Sequence, residues 1–431
     1  MSTEMSPFHL LKQSSASLAR TGVLHFEAAA RTPLATPAFI ISTSRGAVPH
    51  LTPDNVVRTL RDKPGFYLAA EDFFERKPEA SPILSFPESE NGIRDFFALP
   101  TEPPLVAALR GANPEPLTRP NSNGTVAVTT CEGSRDINID TYYRFLAKVC
   151  PDIILAVPDL PQTGVSAGGN RVRKMLFRTE RWLEFLFKHL DSNASNANAH
   201  LFVPILPADL RSQALYIDFL KTHKARISGL TLWTDRGNAA QKAHPALPES
   251  WDNTLKFIEE AEFSHLPRYN LPGYSYSPFE MLDQIASVGI DIFDGKLATE
   301  LTEAGVAIDF TFPAPRDAQD AQLGFNLRED KYKVDMTSFG VHTPNFCGSH
   351  NRAFVHHLLD AHEMTAMVLL EMHNLNALAN FFAGVRAAIA DGTFEEEKAR
   401  FEQVYQGQDL VELKTRGLEN VPEARSFTRT K

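Results

Sequence analysis

Short apolar runs rich in β-branched residues alternate along this chain with longer stretches whose apolar residues recur three and four apart. A run that is apolar at every position is buried on both faces. In a sheet that means a parallel array covered by helices, because parallel strands need long crossovers and those crossovers are usually helical. The expected strands are Ala38–Ile41, Phe66–Ala69, Val126–Thr129, Ile153–Val157, Leu201–Ile205, Gly229–Trp233, Gly289–Phe293 and Ala307–Phe310. Between them fall helical patterns over Asp54–Arg61, Thr141–Val149, Val172–Leu190, Asp209–Lys224, Trp251–Ala261 and Pro278–Val288. Asp54 suits a first turn, and Ser277 before Pro278 suits an N-cap followed by proline at the first helical position. About eight such strands predict an α/β fold of the (β/α)8 TIM type.

Beyond the last of these strands the pattern changes. Pro313 to Asp330 is polar and reads as a linker leaving the barrel; helices are expected near Arg352–Leu370 and Asn374–Ala390. Asp191–His200 reads as a disordered low-complexity loop, and the polar tail from Lys414 as mobile.

The 431 residues carry a net charge of -10, so the surface as a whole is not an electrostatic trap for nucleic acid. RNA contact would need a local basic patch or a partner. No apolar run is long enough to span a bilayer and no secretory signal is visible. The three cysteines, Cys131, Cys150 and Cys347, are too scattered for a disulfide framework. A cytoplasmic setting is the expectation.

Few residues stand out chemically. Asp294, closing Gly-Ile-Asp-Ile-Phe-Asp, falls at the C-terminal end of a strand, where barrel enzymes keep their chemistry; it reads either as a rim carboxylate or as the N-cap of the next helix. Asp159 ends another strand, as a second rim carboxylate or as a turn residue between prolines. His342, Cys347 and His373, with His350 nearby, are donors of the type a tetrahedral zinc site uses, although isolated histidines are more often not ligands. Arg171, Arg173, Lys174, Arg178 and Arg181 crowd one helix, either as a solvated face or as phosphate contacts. The chain has no glycine-rich phosphate loop, no Gly-x-Ser-x-Gly and no Cys-x-x-Cys.

Several blocks in order resemble the tRNA-guanine transglycosylase family. They are Ala19–Leu24, Thr36–Phe39, Leu51–Pro53, Arg178–Trp182, Leu266–Tyr269, Gly289–Asp294, Arg352–Phe354, His356–Leu358, Leu370–Asn374 and Ile389–Phe394. The resemblance implies a barrel over residues 10–315, a zinc-site and dimerisation segment over 316–395, and a helical end with a mobile tail over 396–431. In catalytic members the aspartate at the Asp294 position attacks C1′ of the wobble ribose and displaces guanine. Asp294 is retained here, but its surroundings depart from the family. The Asp-Ser-Gly-Gly turn is absent. The base-recognising aspartate falls on Pro158, with Asp159 one residue late, and Leu206-Pro207 stands where a glycine pair opens the base pocket.

That pattern is similar to the non-catalytic members of the family. It implies a heterodimer with a catalytic queuine tRNA-ribosyltransferase barrel, supporting exchange of guanine for queuine at position 34 of tRNAs with a G34-U35 anticodon, the tRNA being bound through the complex. Self-pairing and peripheral association with the mitochondrial outer membrane also follow from the resemblance. One zinc ion is implied, with Cys347, His373 and His342 as surviving donors and Pro344 at the position of a family cysteine. Two other readings stay open: an active transglycosylase using Asp294 with Asp159 as a substrate-binding carboxylate, and a tRNA-binding scaffold without exchange activity.

Overall fold

The computed structural model describes residues 7–27, 31–59, 64–74, 81–87, 91–111, 119–130, 132–160, 169–206, 208–233, 249–271, 277–317, 321–340 and 349–419. The chain opens with an antiparallel meander of β1 (Phe8–Gln13), β2 (Arg20–Leu24) and β3 (Leu34–Thr36). β4 (Ala38–Ser42), β5 (Phe66–Ala69) and β6 (Leu105–Ala108) follow, then a hairpin of β7 (Thr125–Thr130) and β8 (Gly133–Asn138). Next come β9 (Ile153–Leu155), β10 (His200–Ile205), β11 (Gly229–Trp233), β12 (Arg268–Leu271) and β13 (Ile292–Asp294). β14 (Val306–Ile308) and β15 (Gly324–Asn326) form a separate antiparallel pair. The helices are α1 (Pro53–Thr59), α2 (Ile93–Phe97), α3 (Ile139–Val149), α4 (Gly169–Ser192), α5 (Leu210–Thr222), α6 (Glu249–Glu260), α7 (Pro278–Val288), α8 (Lys296–Glu303), α9 (Arg352–Asp360), α10 (Met364–Asp391), α11 (Phe394–Val404) and α12 (Leu410–Glu419).

Eight parallel strands close a barrel in the order β4-β5-β6-β9-β10-β11-β12-β13, as the alternating pattern predicts. Inward positions two apart fill it: Tyr67 and Ala69 from β5, Val106 and Ala108 from β6, Ile153 and Leu155 from β9, with Phe202, Tyr269 and Ile292. Phe8, Leu24 and Leu34 of the meander join this core, and β3 runs into β4 through Pro37 alone, so the meander closes the N-terminal end of the barrel. The opposite end, where the strands finish, is left for the βα connections.

Six of the eight expected strands lie in the barrel and two do not. The Val126–Thr129 run is β7, paired with β8 along its whole length, from the pair Thr125 and Asn138 to the pair Thr130 and Gly133, where Gly133 has a φ of 102° that suits glycine. The Ala307–Phe310 run is β14, outside the barrel. In their places stand β6, hidden in a proline-rich stretch, and β12, which carries Arg268 and Asn270. Both side chains are buried and hydrogen-bonded inside the fold. Arg268 donates to Val288 O, Asn270 Nδ2 donates to Gln284 Oε1 at 2.5 Å, and Asp291 accepts from Arg20 and from Arg268 N. Burial of both polar groups is tolerable only with such partners.

The chain divides into two compact units. One holds Met1–Ala47, Lys63–Tyr274 and Gln284–Asp294, and so the whole barrel; the other holds Val48–Asp62, Ser275–Asp283 and Gly295–Lys431. In the second unit Phe310, Phe312, Phe381 and Phe401 pack with ring centroids 5.3–6.3 Å apart. A Cβ at Gly384 would collide with the Phe312 carbonyl, which lets α10 press directly on that backbone. Ser277 caps α7 as expected. Glu280 N donates to its Oγ, and the Glu280 carboxylate accepts from Ser277 N, a reciprocal capping box.

Three expectations are corrected here. The segment from Pro313 is not a bare linker, since it contains β15. The Asp191–His200 stretch holds an ordered turn, Ala194–Asn196, with Asn196 buried. The break between the last long helices falls at His362, not near residue 372: Glu363 N closes on Leu358 O and His362 adopts a φ of 57°.

Candidate functional site

Asp294 is the last residue of β13, in register with Ile40 of β4, and so stands on the C-terminal rim. α8 is preceded by Gly295 as its N-cap, so the capping alternative for Asp294 is not the arrangement adopted. The carboxylate is 3% exposed. Beside it Tyr67 fills the barrel axis and donates from Oη to Arg110 O at 2.8 Å. Burial, then the neighbouring Tyr269, Tyr142, Glu71 and Asp294, hold the Tyr67 phenol well above its ordinary value, so it stays a neutral donor. Glu71, one turn beyond β5, receives Gly111 N–H on Oε1 and faces Arg110 at 3.7 Å. Burial outweighs the guanidinium and pushes Glu71 up to about 7. Nucleophilic attack by a carboxylate needs the sugar carbon to come within about 3–3.5 Å. Asp294 is almost fully enclosed in this arrangement.

Asp159 lies just past β9. Its Oδ1 accepts from Asn121 Nδ2 at 2.7 Å, its Oδ2 from Arg178 Nη1 at 2.9 Å, and its N–H donates to Thr179 Oγ1 at 2.9 Å. β9 and β13 are four steps apart in the eight-strand ring, on opposite sides of the mouth. The two rim carboxylates are therefore not brought together as a pair. Sequence reading did not pick out Tyr67, Glu71, Arg110 or Asn121. Each acts through partners tens of residues away, and only the strand-end position of Glu71 and Arg110 could have hinted at the rim.

Cys347 and His342 lie outside the described residues. His373 sits on α10, buried, with its ring 4.6 Å from that of Phe339. Its Nε2 bonds Ile308 O at 2.7 Å; because a carbonyl only accepts, that nitrogen carries the proton. Burial drives His373 down to about 4, so the ring is neutral at pH 7. A metal-bound histidine needs this tautomer and charge. Pro344 supplies no donor where a family cysteine would stand, so a closed four-donor centre would depend on His350 joining His342, Cys347 and His373. Among the described residues no group of three or more His, Cys, Asp or Glu side chains is placed to hold a metal.

The residues around His373 are occupied with packing. Asn374 Oδ1 accepts from Ile308 N at 2.9 Å, while its Nδ2 donates to Thr302 Oγ1 and Val306 O at 3.0 Å each. Glu371 Oε1 accepts from Thr299 Oγ1 at 2.7 Å. One helical turn of α10 thus ties α8 and β14 together through polar contacts.

The same unit exposes apolar side chains around α9. Val334 and Met336 are 81% and 73% exposed and flank Asp335, whose carbonyl accepts from Ala353 N at 2.8 Å beside the exposed Phe354. Met364, at 83% exposure, opens α10 just past the other end of α9. Isolated exposed apolar residues are ordinary; several around one short helix suggest a contact surface.

The family model for queuine tRNA-ribosyltransferase matches residues 14–407. A protein from Schizosaccharomyces pombe described as queuine tRNA-ribosyltransferase accessory subunit 2 is 32% identical over 378 residues, covering 86% of this chain and 79% of its own. Proteins of the same description from Anopheles gambiae and Gallus gallus are each 26% identical, over 84% and 88% of this chain and 82% and 93% of their own.

Proposed function

The chain belongs to the queuine tRNA-ribosyltransferase family, and within it we propose the role of non-catalytic subunit. It supports exchange of guanine for queuine at position 34 of G34-U35 tRNAs by pairing with a catalytic barrel of the same family. The observation that carries this reading is the state of the family nucleophile. Asp294 is kept, but it is 3% exposed beside Tyr67, and the second rim carboxylate read from the sequence, Asp159, stands across the mouth bound to Asn121 and Arg178. Catalytic groups that act as a unit lose nearly all their rate when one is missing. The relatives' description as accessory subunits supports the same reading.

The docking surface for the partner is assigned to α9 and its flanks, where Val334, Met336, Phe354 and Met364 are exposed. Self-pairing through this surface competes with the heterodimer. tRNA is bound through the complex, since a chain of net charge -10 binds it weakly unaided. Among the described residues no helix is long and apolar enough to cross a membrane; the proposed site of action is the cytoplasm, with any contact at the mitochondrial outer membrane peripheral. The reading does not depend on zinc, since Pro344 replaces a family cysteine in the donor set.

Retention of Asp294 favours a second reading, an active transglycosylase. Mixing the protein with a catalytic subunit separates the two: light scattering reports the heterodimer, and labelled guanine or queuine reports exchange. Exchange by the protein alone that disappears in Asp294→Ala establishes the second reading. Failure to form any complex removes the first.

A further inference from the structure

A cavity of about 550 Å³ opens between the residues leading into the β7–β8 hairpin and the first three turns of α4, on the side of the barrel where the strands end. Arg119, Asn121, Asp159, Arg171, Lys174 and Arg178 line it, four cations against one carboxylate. Residues 171, 174 and 178 are three and four apart, so they form one stripe of the helix. No acidic residue sits three or four positions from any of them on the described helix, whereas an ordinary solvated basic face is laced with such acids. Arg173 falls off this stripe; Arg181 continues it past the cavity and lies over the Phe185 ring at 5.3 Å.

The wall is built. Asn121 accepts Ala127 N–H at 2.8 Å and donates to buried Asp159, and Asp159 in turn fixes Arg178. One guanidinium is thereby neutralised and held still, and Arg119 is drawn at 3.5 Å toward exposed Asp136. Arg171 and Lys174 have no ion pair or hydrogen bond among the described residues. The cavity keeps an excess of about two positive charges in a chain that is acidic overall.

We propose that this cavity is a phosphate site that receives the sugar-phosphate backbone of the tRNA beside the barrel mouth. The assignment rests on the accessory reading for the identity of the RNA. It adds that this subunit itself holds the tRNA, through Arg171 and Lys174 directly and Arg178 as the fixed wall. A backbone is favoured over a free nucleotide because the cations form a row along one helix stripe, and no aromatic side chain lines the cavity for a base to stack on.

The test compares Arg171→Gln/Lys174→Gln with Arg173→Gln/Lys188→Gln, which removes the same charge from parts of α4 outside the cavity. Binding of labelled tRNA and of labelled GMP is followed against salt, for the heterodimer and for the protein alone. The first pair is expected to weaken tRNA binding about tenfold and to flatten the dependence of log K on log salt by about 1.4–1.8, since each phosphate contact contributes about 0.7–0.9. The control pair is expected to change the slope little. Equal effects of both pairs, or an unchanged slope in the first, would overturn the site. Loss of GMP binding with tRNA binding intact would overturn the backbone assignment. Heterodimer formation by light scattering is scored separately: if the wild type forms no complex, the accessory reading fails, and the cavity is still judged by tRNA binding to the single protein at low salt.

Discussion

Glu371 is fully buried on α10, and its carboxyl is pushed up from 4.5 to about 7, chiefly by burial, with the Thr299 and Thr302 hydroxyls partly opposing. The unfolded chain releases this proton near 4.5 while the folded chain keeps it. Between those values the native state binds more protons than the unfolded state, so stability falls as pH rises and levels off above about 7. At 1.36 kcal/mol per decade, a displacement from 4.5 to about 7 makes Glu371 responsible for about 3 kcal/mol of lost stability at pH 8 relative to pH 4. Glu371→Gln keeps an oxygen for Thr299 Oγ1, whose bond to the carboxylate is 2.7 Å, and cannot ionise. The variant is expected to match the wild type near pH 4–5 and to exceed it at pH 8 by about 2–3 kcal/mol, or several degrees in melting temperature. Denaturant titrations of both proteins from pH 4.5 to 8 make the comparison; Glu71, also near 7, adds the same slope to each. A constant difference between the two proteins across that range, or a wild type that gains stability toward pH 8 while the variant does not, would refute the reasoning.

Asp294→Ala is expected to leave both heterodimer assembly and its exchange rate unchanged; a loss of about 100-fold or more in labelled-base incorporation would return the residue to catalysis. Chelator is expected to leave the melting temperature unchanged, and metal analysis to find well under one zinc per chain. His373→Phe should cost about 1–3 kcal/mol with or without chelator, because it strands the buried Ile308 carbonyl that His373 serves at 2.7 Å. Met336→Asp with Met364→Asp should weaken binding to the catalytic subunit at least tenfold in light-scattering or calorimetric titrations while leaving the melting temperature within about 1 °C, since both side chains are exposed.

The barrel was readable from sequence where a strand is apolar throughout and ends at a turn residue. β5, β11 and α7 occupy the residues expected of them. Reading failed where burial and polarity part company. β12 carries Arg268 and Asn270 inside the fold because Val288, Gln284 and Asp291 lie across from them, and nothing within a local window announces those partners. β7 and β14 failed the other way: each is a buried apolar run, and periodicity does not say whether its neighbour will be a barrel strand or a hairpin partner. α10 runs unbroken through Glu371-Met-His-Asn374 because those polar residues are hydrogen-bonded to α8 and β14, a tertiary fact. At the rim, the strand-end position of Asp294 was legible. Its enclosure was not, since that depends on Tyr67, 227 positions earlier in the chain.

The account stands most directly on incorporation of labelled queuine or guanine into tRNA, measured with this protein alone, with a catalytic subunit alone, and with both together. The prediction is no incorporation by this protein alone and, with both present, a rate well above that of the catalytic subunit alone. Incorporation by this protein in isolation, or no gain on combining the two, would contradict it.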